Sequence, residues 1–151
     1  MHARPEPDWQ TYRGNDTPPP QAAELLGNDV TKRFADYAQG NATTEPIALA
    51  AVDEQGRWLA AILLLIEPMQ DADETVGSIH QLIVPPASRG QGLAGRLIRR
   101  AMTTAKDAGA ARLRSTAGWG CPDHLAMYDR LRFDRLNARE LPYLVSKPLD
   151  R

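Results

Sequence analysis

The chain has 151 residues, 42% of them apolar and 25% charged, a balance that supports a packed core and excludes wholesale disorder. Eighteen basic residues against 19 acidic ones leave a net charge of −1, without the basic excess that a role dominated by nucleic-acid phosphates demands. The single cysteine, Cys121, excludes an internal disulfide, and the longest strong apolar run, LAAILLLI at 59–66, falls well short of the ~18 residues of a membrane span. The opening MHARPEPDWQ lacks the apolar stretch of a secretory signal. One cytoplasmic domain over 1–151, with neither nucleic acid nor membrane as partner, is the expectation.

Five prolines fall in the first 20 residues, so 1–19 is expected to be irregular, with a short edge strand at WQTYR. Thr17, three prolines and QAAELL mark a helix start, and Gly27-Asn28 a stop. Asp29 is placed to cap a second helix, VTKRFADYAQ, ending at Gly40. IALAAV and WLAAILLLI, on either side of DEQGR, read as a hairpin whose second strand is too continuously apolar to have a wet face. MQDADETVG reads as a polar, acidic loop before a strand SIHQLIV. A glycine-rich turn follows, then a helix with Ala94, Ile98, Ala101, Ala105 and Ala108 on one stripe and Arg96, Arg99, Arg100, Thr103 and Lys106 off it, stopped by Gly109. ARLRSTA is expected as a strand and CPDHLAMYDRLR as a last helix with Leu125, Tyr128 and Leu131 on one face. FDRLN and YLVSKPL, separated by AREL, close the chain as strands, giving a mixed α/β pattern.

The turn Arg89-Gly90-Gln91-Gly92-Leu93-Ala94-Gly95 is the most informative stretch. Glycines opening a helix let several backbone N–H groups and the positive helix end converge, as pyrophosphate binding requires. GQGLAG formally matches the dinucleotide pattern G-x-G-x-x-G. In that motif the strand runs almost directly into the first glycine, and an acid holds the ribose roughly 20 residues on. Here Pro85 to Arg89 intervene after Val84, the next strand ends in small neutral residues, and the chain lacks two βαβαβ halves. The dinucleotide reading fails on all three counts.

The same residues resemble the GNAT superfamily of N-acetyltransferases. Its motif Gln/Arg-x-x-Gly-x-Gly/Ala is met by Arg89-Gly90-Gln91-Gly92-Leu93-Ala94, placed after LIVPP as the family places it. HLAMYDRLRF echoes the family's distal tyrosine helix, and YLVSKPL its last strand. The match covers residues 47 to 149, with the core motifs within 75–149. It implies the acyl-CoA N-acyltransferase fold: an α/β domain whose central mixed, mostly antiparallel sheet is flanked by helices. Arg132 stands where the family usually has the glycine before the phenylalanine, which puts the exit from the last helix in question. The asparagine often found ahead of the tyrosine is also absent.

The resemblance further implies acetyl-CoA as co-substrate, with Arg89 flanking the phosphates and Gly90, Gln91, Gly92, Leu93, Ala94 and Gly95 supplying amide contacts. Leu82, Ile83 and Val84 would lie along the pantetheine arm, beside a bulge that splays their strand from its neighbour. Tyr128 matches the thiolate-side tyrosine, a proton donor to the departing sulfur, against the plain reading of a core aromatic. His80 occupies the strand where many relatives carry a basic Glu. By alternation it shares a face with Leu82 and Val84; the general base and a hydrogen-bonded structural histidine stand level there, with deprotonation by water alone as a third alternative. Trp119, Tyr37 and His124 are candidate acceptor-pocket residues, against packing as the commoner role of a lone aromatic; Asp71, Asp73 and Glu74 would attract a cationic amine or, more commonly, simply be solvated. Arg96, Arg99 and Arg100 either reach the cofactor's outer phosphate or form a wet helix face. Cys121 lacks an activating base other than His124, so direct attack in a ternary complex is expected over an acyl-enzyme. The acceptor would be a small-molecule or peptide amine, no metal is implied, and a homodimer is left open. The rival function is a non-catalytic acyl-CoA sensor of the same fold.

Overall fold

Two apolar strands at the middle of the chain organise everything else. In the computed structural model, which describes residues 6–69, 74–117, 122–136 and 143–149, β2 (Glu45–Val52) and β3 (Trp58–Met69) form an antiparallel hairpin. Period-two alternation sends Ala60, Ile62, Leu64 and Ile66 to one face of the sheet and Ala61, Leu63 and Leu65 to the other, and all are buried. The first set meets Leu93, Leu97, Ile98, Ala101 and Ala105 of α3 (Leu93–Asp107). The second meets Ala22 and Leu26 of α1 (Pro20–Leu26) and Val30 and Phe34 of α2 (Asp29–Ala38). A strand buried on both sides by helices is why the run has no polar alternation. Each Leu or Ile so buried contributes about 1.5–3 kcal/mol.

The remaining strands are β1 (Asp8–Tyr12), β4 (Glu74–Ile83), β5 (Arg112–Ala117), β6 (Asp134–Arg135) and β7 (Tyr143–Pro148), with α4 (Pro122–Arg130) after β5. The seven strands run in the order β1-β2-β3-β4-β5-β7-β6. Only β4 and β5 pair in parallel, with α3 as their crossover; every other pair is antiparallel. Among the described residues no helix is long and apolar enough to cross a membrane.

The structure departs from the sequence reading in four places. The two ends of MQDADETVG are strand: Glu67, Pro68 and Met69 pair with Val76, Thr75 and Glu74, because β-branched Thr75 and Val76 prolong the β3–β4 pairing. Asp71 and Asp73 lie outside the described residues. Asn28, not Asp29, occupies the cap position of α2, and Asp29 instead accepts from Arg33 Nε at 2.6 Å one turn on. The buried stripe of α3 is rotated towards Leu93 and Leu97, leaving Ala94 and Ala108 only partly covered. The last helix ends at Arg130, two residues early.

That early end has a cause two residues on. The Arg132 N–H bonds Asp129 O at 3.0 Å and the Phe133 N–H bonds Tyr128 O at 3.0 Å, the paired closure of a Schellman motif. This closure requires a left-handed residue, and Arg132 adopts φ 64°, alone among the described non-glycine residues. The side chain crowds the backbone there, at a cost only partly offset by the lower flexibility of arginine in the unfolded chain. Arg132→Gly is expected to stabilise the fold by about 0.5–1 kcal/mol, read as a higher urea midpoint at unchanged slope. An unchanged or lower midpoint would show that Arg132 carries no strain.

Candidate functional site

The site begins with one extra residue in β4. Ile79 pairs with Leu64 and Gln81 with Leu63, so His80 has no partner on β3 and forms a β-bulge. A bulge inverts alternation. Ile79 faces the α3 layer before it, and Leu82 and Val84 face that layer after it, with Ile83 on the α1/α2 side. His80 therefore does not share a face with Leu82 and Val84, as period-two counting implied. It points to α2, where its Nε2 lies 3.7 Å from Asp29 Oδ2 and 3.5 Å from Arg33 Nη2.

Just before the bulge β4 also parts from β5. Their parallel pairing covers only Val76 to Ser78 against Arg112 to Arg114, and β5 continues solely against β7. Arg114 Nε donates to Ser78 Oγ at 3.1 Å across the last rung. From Ile79 to Ile83, β4 is paired to β3 on one side and to no described strand on the other. Leu82 and Ile83, with Val84 just past the strand end, thus border an open wedge with free backbone donors and acceptors.

At the mouth of the wedge the chain turns into α3. A single 3-10 turn, Pro86–Ser88, leads to Arg89, whose Nε donates to Val84 O at 3.2 Å and folds the guanidinium back along the turn. Gly90 and Gly92 both take left-handed φ, 81° and 72°, which a side chain would strain. The consequence is a run of backbone N–H groups, residues 90 to 95, none with a hydrogen-bond partner among the described residues. The first helical bond comes from Arg96 N–H to Gly92 O, at 3.2 Å. No acidic side chain occupies the first turn of α3. Unpartnered amides at a positive helix end fit a pyrophosphate.

Tyr128 closes the other side. It is 1% exposed, with its ring edge-on to Phe133 at 4.9 Å and its hydroxyl donating to Ser115 Oγ of β5 at 2.8 Å. Burial pushes the phenol above its usual range, and the Ser115 hydrogen bond works against that rise. Ser115 was not singled out in the sequence; its only signal there is a polar residue at an inward position of ARLRSTA. His80 shifts the other way. Burial first and then the Arg33 charge hold the imidazole below its usual range, opposed by Asp29 and Glu67, so it is neutral at neutral pH.

Several other candidates lie elsewhere. The Tyr37 ring lies flat on Gly14, so close that a Cβ there would sit 2.4 Å from its Cδ2. Arg13 and the Gly14 N–H both donate to Glu45 beneath it. Tyr37 thus packs the β1–α1 loop, two helical turns from Asp29. Arg96 and Arg100 lie over the Trp9 ring rather than near the wedge. Trp119, Cys121 and the side chain of His124 lie outside the described residues.

A mixed sheet that opens between two parallel strands, with unpartnered amides at the helix start at its mouth, is the architecture of an α/β acyltransferase. The chain belongs to the acetyltransferase (GNAT) family, whose sequence profile matches residues 9–131. Among solved structures it is similar to NAA60 of Arabidopsis thaliana in complex with acetyl-CoA, at TM-score 0.66 and 14% identity over 93% of this chain and 98% of that one. It is also similar to the Escherichia coli GNAT family N-acetyltransferase YhbS in complex with CoA, at TM-score 0.61 and 19% identity over 99% and 86%. A ribosomal-protein-alanine N-acetyltransferase from Brucella melitensis aligns at TM-score 0.58 and 20% identity over 82% and 90%. At these identities the likeness shows the fold. No curated protein matches the sequence.

Tyr128→Phe keeps the ring packing and removes only the buried hydroxyl, so it is expected to lower stability by about 1 kcal/mol in urea unfolding. Unchanged stability would mean that the Ser115 contact contributes nothing net.

Proposed function

We propose that the chain transfers an acetyl group from acetyl-CoA to a primary amine by direct attack in a ternary complex. The run of unpartnered amides from Gly90 to Gly95, opening α3 beside the unpaired edge of β4, carries this reading. The family membership and the CoA-bound state of similar structures support the choice of donor.

Acetyl-CoA, when bound, supplies an activated thioester. Gly90 and Gly92 shape the main chain so that amides 90 to 95 hold the pyrophosphate, and Arg89 adds a cation beside them. The free edge at Leu82 to Val84 offers backbone groups to the pantetheine amides. A free N–H on that edge is placed to bond the carbonyl oxygen as charge develops there. The bulge separates donor from acceptor: Leu82 and Val84 face the α3 layer, whereas His80 faces α2, the side from which the amine approaches. His80 is neutral at neutral pH, so its ring accepts the ammonium proton. Tyr128, kept protonated by burial, donates to the departing sulfur by turning its hydroxyl from Ser115. Asp29 and Glu67 act on His80 in the sense that favours a cationic acceptor, against the Arg33 charge beside the same ring.

Calorimetry is expected to show saturable coenzyme A binding and none of a nicotinamide dinucleotide, and Gly92→Glu to abolish the former; the reverse preference would overturn the donor. An acceptor screen reading free thiol release across amines, amino acids and peptides then names the amine. With that amine, kcat/KM rises with pH through a pKa below ~6.5, since protonated His80 is inactive and its folded-state pKa is depressed. His80→Gln is expected to lower the rate about a hundredfold and flatten that limb. A profile unchanged in this variant removes His80 as the base.

A further inference from the structure

On the far side of α3 from the wedge lies a second polar concavity. α3 packs over β2 to β5 and leaves the same face of the edge strand β1 uncovered. The groove between them encloses about 480 Å³, with Trp9 and Thr11 of β1 facing Arg96, Arg99, Arg100 and Thr103 of α3. The guanidinium carbons of Arg100 and Arg96 sit 4.4 and 5.2 Å from the Trp9 ring centroid, and cation–π attraction holds both heads in place. Glu6 pairs with Arg96. Among the described residues Arg99 and Arg100 have no carboxylate partner, and no acidic residue lines the groove.

Three guanidiniums gathered around one hollow repel each other, and a single carboxylate offsets only one of them. Two uncompensated charges match a dianion. The fork of each guanidinium suits a tetrahedral oxyanion, and the threonine hydroxyls add donors. The volume exceeds that of bare phosphate and lies within the ~300–1,000 Å³ of small-molecule sites, while the indole gives one apolar surface. We propose that this groove binds a phosphomonoester, its dianionic head on Arg99 and Arg100 and its organic group against Trp9. Glu6 is a competing anion from the chain itself. The site is separate from the cradle at Gly90 to Gly95 and does not depend on the reading given to that cradle.

The test is calorimetric titration with phenyl phosphate, once with coenzyme A saturating and once on Gly92→Glu, whose cradle is blocked. The second arm keeps the result independent of whether coenzyme A binds. Saturable binding to one site is expected in both, weakened about tenfold or more by Arg99→Gln with Arg100→Gln. Glu6→Gln is expected to tighten it severalfold, a gain that loss of fold could not mimic. The proposal is overturned by three outcomes: no saturable binding in either arm, affinity indifferent to the arginine variants, or tighter binding of a tetraglutamate peptide than of phenyl phosphate.

Discussion

The whole site depends on a parallel ladder that stops after three rungs. Val76, Gly77 and Ser78 pair with Arg112, Leu113 and Arg114, and then β4 and β5 diverge. Were the ladder longer, the edge at Leu82 and Ile83 would be spent on β5, and no chain of donors and acceptors would face the wedge. The approach of α3 fixes the point of closure. Gly77 lets the helix come so near that an added Cβ would meet Ala105 at 3.1 Å and Leu113 at 3.3 Å. Tight packing at the closed end and a bulge at the other set where the sheet opens.

The bulge also sorts the chemistry by side. One inserted residue places His80 among the charges of α2 and keeps Leu82 and Val84 against the apolar layer under α3. The two titrating groups then sit in different surroundings. His80 is partly wet and held neutral; Tyr128 is sealed between β5 and Phe133 and held protonated. In a strictly alternating strand His80, Leu82 and Val84 would share one face.

Much of this was legible in the residues. The unbroken run of β3 announced a strand covered twice, because half-buried strands must alternate. The glycines of the turn announced a tight entry into a helix, because only they take left-handed φ without strain. The face of His80 was not legible by alternation, although a trace of it is present. Apolar Ile79 and Leu82 are three residues apart, with two polar residues between them, which no regular strand does. The packing partner of Tyr37 was not legible for a different reason: nothing local links it to Gly14, whose missing Cβ makes room for its ring. Asp29 fitted a cap rule, but Arg33 four residues on competed for its carboxylate and won.

The cradle at the head of α3 is written in main chain rather than in side chains. Replacing Gln91, Leu93 or Ala94 leaves every amide where it was, unless proline removes one. Only the glycines carry a conformational demand. Sequence can therefore drift widely around such a site while its grip on an anion is preserved, and that grip does not titrate, since amides neither gain nor lose protons in the physiological range. On the proposed function, the chain's chemistry toward a phosphate is inherited with its backbone path, and substitutions are freest where contact with the ligand would be closest.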